Sequence, residues 1–120
     1  MTNYTNLKSH DKEEYLARHT LKYLQKVKQP VSRAQIINYL VKNISDIPND
    51  VLTPIKSKKG NNYVPFKNRL GFGLTSLYKA KLIDHPKRGI SELTELGQRT
   101  NADDVQHLHE LFVKGWKTIK

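Results

Sequence analysis

The sequence predicts an α+β fold, mostly α, and three observations carry that expectation. Four segments repeat apolar residues at helical spacing. One pair of short strand-like segments, Leu82–His85 and Ile90–Leu93, flanks a Pro–Lys–Arg–Gly turn and reads as a β-hairpin. The chain has 120 residues and no cysteine, which is the size of one domain with one modest core.

The elements follow in order. Residues 1–9 are polar and aperiodic and are expected to form a loose arm, leaving residues 10–120 as a single domain. A first helix is predicted from about Asp11 to Lys28. Asp11 or Ser9 would cap it, and Glu13 and Glu14 suit its positive first turn. Its apolar face is Leu16, Thr20, Tyr23, Leu24 and Val27, and Gln29–Pro30 ends it. Ser32 with Gln35 makes a capping box, opening a second helix to about Lys42. The expected buried side is Ala34, Ile37, Leu40, Val41 and Ile44.

Residues 45–64 are broken by Pro48, Asn49, Pro54, Gly60 and Asn61–Asn62. A short helical turn with Ile47, Val51, Leu52 and Ile55 is expected there, then a solvated basic loop from Lys56. A third helix should start at Pro65, where proline's missing N–H costs nothing, and reach Ala80. Phe66, Leu70, Leu74, Leu77 and Tyr78 fall on one face; Asn68, Phe72, Thr75, Ser76 and Lys79 fall opposite, with Arg69 on the flank. After the hairpin, Thr94 caps a short turn. A last helix from about Asp103 to Ile119, capped by Asn101 or Asp103, presents Val105, Leu108, Leu111, Phe112, Trp116 and Ile119. Helix, helix, irregular link, helix, hairpin, helix is the order of a winged helix-turn-helix: a three-helix core, a β-hairpin wing and an additional C-terminal helix.

Charge gives this fold a direction. The chain has 21 basic and 11 acidic residues, a net +10. Residues 1–50 hold 8 basic and 5 acidic side chains, residues 51–90 hold 9 and 1, and residues 91–120 hold 4 and 5. Such a concentrated field calls for a polyanionic partner. Without cysteine there is no disulfide framework, thiolate nucleophile or cysteine zinc site, which suits a cytoplasmic location. Apolar runs stop at three residues, far from the ~20 of a membrane span, and the basic residues do not share one helix, so a membrane partner is not expected.

The third helix would offer Asn68, Arg69, Phe72, Thr75 and Ser76 to bases, since Asn pairs adenine and Arg pairs guanine bidentately. Lys56, Lys58, Lys59, Lys67, Lys79 and Arg33 would meet phosphates, and Lys87 and Arg88 would be the wing tip. Gly71 and Gly73 weaken a helix unless a backbone approaches there; tight helix packing is the expected reason. Catalytic and metal roles find no support. His107 and His109 are two apart and point in different directions on a helix, and no phosphate cradle or nuclease-like acid-x-lysine triplet occurs. No cofactor is expected.

Phe66, Asn68-Arg69 and Phe72, then Leu77-Tyr-Lys-Ala80-Lys-Leu82-Ile83, Pro86-Lys-Arg88-Gly89 and Leu93-Thr94-Glu-Leu-Gly97 resemble the N-terminal winged-helix domain of Mrr-type restriction proteins. The resemblance covers residues 64–97 well and residues 10–63 in layout. It departs at Phe72, where Trp is frequent, and at Gly73, where Ala is. It implies DNA binding in a modification-dependent restriction setting, with Asn68, Arg69 and Phe72 on the recognition helix and Arg88 in the wing. The family's nuclease domain is missing from these residues, so cleavage would come from another domain or subunit. The resulting expectation is a non-catalytic double-stranded DNA-binding winged helix, with reading of a modified base as its sharper form. The alternatives are a winged-helix transcription regulator, and a protein-interaction adaptor docking through the C-terminal helix with Trp116 and Phe112 as anchors. A monomer suits the reader and a homodimer the regulator.

Overall fold

The structure, a computed structural model, describes residues 4–118. Helix α1, Ser9–Val27, is the central strut. Leu16, Ala17, Thr20, Leu21 and Leu24 are fully buried along it. Thr20 sits in this apolar stripe because its hydroxyl donates to the Leu16 carbonyl at 2.7 Å, which satisfies an otherwise buried polar group. Lys8, not Asp11 or Ser9, occupies the cap position, and no side chain caps it. The expected loose arm also differs. Tyr4–Asn6 forms a 3-10 turn, and buried Tyr4 packs its ring 5.7 Å from Tyr15 and 5.8 Å from Phe66. An aromatic residue four positions from the start finds two ring partners, and that burial holds the segment.

Strand β1, Val31–Ser32, leads into α2, Arg33–Asn43. The capping box is present in both directions: Ser32 Oγ accepts from the Gln35 N–H and Gln35 Oε1 accepts from the Ser32 N–H. The buried stripe of α2 is Ile36 and Leu40; Ala34 is exposed and Ile37, Val41 and Ile44 are half-buried. The stripe is narrower than the wheel predicted, because α2 covers the core along one edge only. Residues 45–64, expected as an irregular link with one short helical turn, carry more structure than that. They hold a 3-10 turn, Asn49–Leu52, and two strands, β2 Ile55–Lys56 and β3 Asn62–Tyr63. Strands β2 and β3 pair antiparallel, so the expected basic loop is a hairpin. Ile47 is buried there, whereas Leu52 and Ile55 are exposed.

Helix α3, Pro65–Lys79, opens on proline as expected. Phe66, Leu70, Leu74 and Leu77 are buried against α1, which is its main neighbour. Gly73 is the point of closest approach: a Cβ there would lie 2.8 Å from the Glu13 carbonyl oxygen. The expected reason for that glycine, helix packing, is the observed one. Tyr78, expected in the core, is instead exposed. It lies at the end of the helix, beyond the reach of α1, and stacks on His85 at 5.1 Å.

Strands β4, Ile83–Asp84, and β5, Ile90–Leu93, form the second hairpin, with Gly89 at φ +77° in its turn. Strand β1 adds to β5, giving a three-stranded antiparallel sheet in the order β1-β5-β4. Thr94 caps α4, Glu95–Arg99, by accepting from the Gly97 N–H at 3.0 Å. Helix α5, Val105–Thr118, closes the core with Leu108 and Phe112. Its first turn is held by Asp104, whose Oδ1 accepts from the His107 N–H at 3.1 Å, and not by Asn101 or Asp103. Val105 and Trp116, expected on the buried face, are largely exposed, and Ile119 lies outside the described residues. The architecture is α+β, mostly helical with small antiparallel sheets, and compatible with a winged helix.

Candidate nucleic-acid interface

From Val51 to Ile83 the chain carries no acidic residue; Asp50 and Asp84 bracket the stretch. The structure arranges this stretch as a basic hairpin followed by α3, and a second hairpin with a basic tip begins where the stretch ends. The β2–β3 hairpin holds Lys56, Lys58 and Lys59, all exposed. Its turn is closed by the Ser57 N–H donating to the Asn61 carbonyl at 2.8 Å and the Gly60 N–H donating to the Ser57 carbonyl at 3.0 Å. The β4–β5 hairpin holds exposed Lys87 and Arg88. Its base is fixed to α3 by the Tyr78–His85 stack, and His85 Nδ1 lies 3.1 Å from the Ile90 carbonyl, to which it donates.

On α3, Lys67, Asn68 and Phe72 are exposed and Thr75 is half-buried. The Thr75 hydroxyl donates to the Gly71 carbonyl at 2.9 Å, which leaves its oxygen facing outward as an acceptor. Three residues expected on this face are engaged elsewhere. Arg69 Nη1 donates to Glu13 Oε2 at 2.7 Å in a partly buried ion pair with α1. Ser76 is buried, and its hydroxyl accepts from Trp116 Nε1 at 2.9 Å. Lys79 places its ammonium 3.9 Å from the centroid of the Trp116 ring, a cation–π contact. Arg33, expected at phosphates, is exposed but donates through Nη2 to the Lys67 carbonyl at 2.6 Å, close over Gly71. These departures share one cause: α1, α2 and α5 close on the flanks of α3, and nothing in the local spacing of residues 65–80 records those neighbours.

Two residues whose roles local spacing does not show are Tyr78, which joins α3 to the β4–β5 hairpin, and Glu13, which holds Arg69. Glu13 and Glu14, expected in the first turn of α1, lie in its second, because the helix starts at Ser9. His109 likewise belongs to a pair, with Nδ1 2.8 Å from Glu14 Oε2. Among the described residues no group of three or more His, Asp or Glu could hold a metal ion, and no helix is long and apolar enough to cross a membrane.

A mostly helical α+β domain with a basic face is thus the class that fold and surface define. Residues 14–103 match the family described as the Mrr N-terminal domain, and the chain belongs to that family. The match extends through α1 and α2, beyond the residues 64–97 that carried the resemblance. It associates the chain with restriction systems, as an N-terminal domain that is not itself a catalytic nuclease domain. No curated protein and no solved structure matches the chain.

Proposed function

We propose that this chain is a non-catalytic winged helix-turn-helix domain that binds double-stranded DNA and serves a restriction system. The observation that carries the reading is the acid-free segment 51–83, a basic hairpin leading into α3, with a second hairpin and its Lys87–Arg88 tip directly after it. The three-stranded β1-β5-β4 sheet supports it, since it ties the wing to the entry of α2. Helix α3 lies in the major groove, which is about as wide as a helix with its side chains. Asn68, Thr75 and Phe72 meet base edges, Phe72 against a thymine or other methyl group. Lys67 and the lysines of β2–β3 take phosphates on one side, and Lys87 and Arg88 on the other. Cleavage comes from a separate nuclease or effector domain or subunit, and reading a modified base is the role that would direct it.

Salt titration of duplex binding by fluorescence anisotropy tests the reading. Log K should fall linearly with log salt, by ~0.9 for each phosphate contacted. Binding indifferent to salt, or none to any duplex, rejects it. Matched duplexes with and without methylated cytosine, hydroxymethylated cytosine or methylated adenine test the sharper form, and equal affinity for all rejects that form alone.

A further inference from the structure

A cleft of about 550 Å³ opens beside α3, between the first turns of α1 and the last turns of α5. Phe72 and Trp116 line it, with Phe112 and Val113 behind and Glu13 and Arg69 at the rim. Its size falls within the ~300–1,000 Å³ of small-molecule sites. Its chemistry is specific. Phe72 is 48% exposed and Trp116 39%, which is unusual for two large aromatic side chains beside one opening. The indole is fixed in place: its N–H donates to Ser76 and Lys79 sits against its ring. A ring immobilised in this way is a ready stacking wall, because little side-chain freedom remains to be lost on binding. Glu13 is held as firmly. Its Oε2 accepts from Arg69 at 2.7 Å, while His10 Nδ1 lies 3.8 Å from its Oε1, beyond hydrogen-bond reach.

Flat aromatic walls beside a carboxylate oxygen with acceptor capacity to spare suit a planar, aromatic ligand bearing an amino group. Position supplies the source of that ligand. Phe72 belongs both to the cleft and to the exposed face of α3, one helical turn from Asn68 and Thr75. We propose that the cleft receives one nucleobase extruded from the bound duplex, stacked against Phe72 and Trp116, with its exocyclic amino group donating to Glu13. The inference rests on the DNA-binding reading above and adds a second site to it, in which Phe72 stacks on the extruded base in place of a contact to a base edge in the groove. The cleft lining sets Arg69 and Lys117 against Glu13 and Glu14, so the approach of a phosphodiester chain is not opposed. Carboxylates accept from the cytosine amino group in the same manner in groove recognition. Extruded bases are held elsewhere by this combination of stacking and edge hydrogen bonds.

Trp116 is the single tryptophan of the chain, so its fluorescence reports on the cleft alone. The experiment titrates the full chain with matched duplexes and with duplexes carrying one mismatched cytosine or one mismatched thymine. Extrusion is easier at a mismatch. The mismatched-cytosine duplex should therefore quench Trp116 more than the matched one and bind roughly 10-fold tighter, the scale of one base–aromatic stack. Trp116→Leu should bring that affinity ratio toward one, and Trp116→Phe should keep most of it. Glu13→Gln should reduce the preference for cytosine over thymine. The ratio, not the absolute affinity, is the measure, so a general loss of binding in a variant does not affect the comparison. Equal quenching and equal affinity for matched and mismatched duplexes would overturn the cleft assignment and leave DNA binding standing. Absence of binding to every duplex would overturn both.

Discussion

Gly71 and Gly73 stand two residues apart in α3 and meet opposite surroundings. A Cβ at Gly73 would lie 2.8 Å from the Glu13 carbonyl oxygen and 3.2 Å from the Ala17 nitrogen, both backbone atoms of α1. Backbone in a packed helix cannot yield cheaply, so overpacking of ~1–3 kcal/mol outweighs the ~1 kcal/mol that alanine offers over glycine in a helix. Gly73→Ala should lower the urea midpoint clearly. A Cβ at Gly71 would meet only the tip of Arg33, at 2.9 Å. That side chain can swing away, so Gly71→Ala should be neutral or stabilising by up to ~1 kcal/mol, and a large loss there would show that Arg33 is less free than its exposure indicates. His19 makes a second prediction at this scale. Burial first, then the neighbouring Arg18 and Lys22, push its pKa down to about 4 from 6.5. The folded state therefore resists protonation that the unfolded chain accepts. Above pH ~6.5 both states are neutral and stability is unaffected. It should fall as pH drops from ~6.5 toward ~4, and the loss should be complete below that. His19→Phe keeps a ring against Tyr15, now 4.5 Å away, and should flatten the midpoint-versus-pH curve in that window. A curve as steep as the wild type would place the effect on other groups.

Elements differ in how far their own sequence specifies them. The entry of α2 is local: Ser32→Ala removes one half of the capping box and should cost ~1 kcal/mol in urea unfolding, with binding altered little. A loss of several kcal/mol would mean that the hydroxyl does more than cap, since the backbone pairing of Ser32 with Ile90 survives the substitution. This element was legible because its cap, first turn and periodicity all lie within a few residues. Periodicity alone made α1 legible, though not its cap at Lys8, and local signals likewise gave α3 from Pro65 and the hairpin around Gly89. Strand β1 was not legible. It is two residues long, and its partner β5 lies some sixty positions later, so no alternation exists to detect. Strands β2 and β3 hid for a similar reason: each is two residues long, and both are exposed, so neither shows an alternation. The candidate site was legible as a stretch of charge and as an outward Phe72. The redirection of Arg69, Ser76 and Lys79 was not, because each is decided by a residue on another helix, Glu13 or Trp116. A helical wheel assigns a face, but only tertiary packing says what already occupies its edges.

Across the whole molecule, the net charge of +10 and the distribution of that charge make separable claims. A polyanion attracted by net charge alone would respond equally to any three lost lysines. A partner that docks on the two hairpins would not. Lys56, Lys58 and Lys59 project from β2–β3, whereas Lys26, Lys28 and Lys42 are exposed at the ends of α1 and α2. Replacing either trio with glutamine lowers the net charge by the same amount, and all six positions are at the surface, where such changes are usually within about 0.5 kcal/mol of neutral for stability. The hairpin trio should reduce the slope of log K against log salt by ~0.9 for each phosphate contact removed. The helix-end trio should slow association slightly through the long-range field, an effect that fades within a Debye length of ~10 Å at 0.1 M salt, and should leave the slope unchanged. Equal slopes for the two variants would mean that the duplex senses the charge of the chain without docking on this face. A flattened slope for the hairpin trio alone locates the contact, because counterions are released only where lysine and phosphate meet.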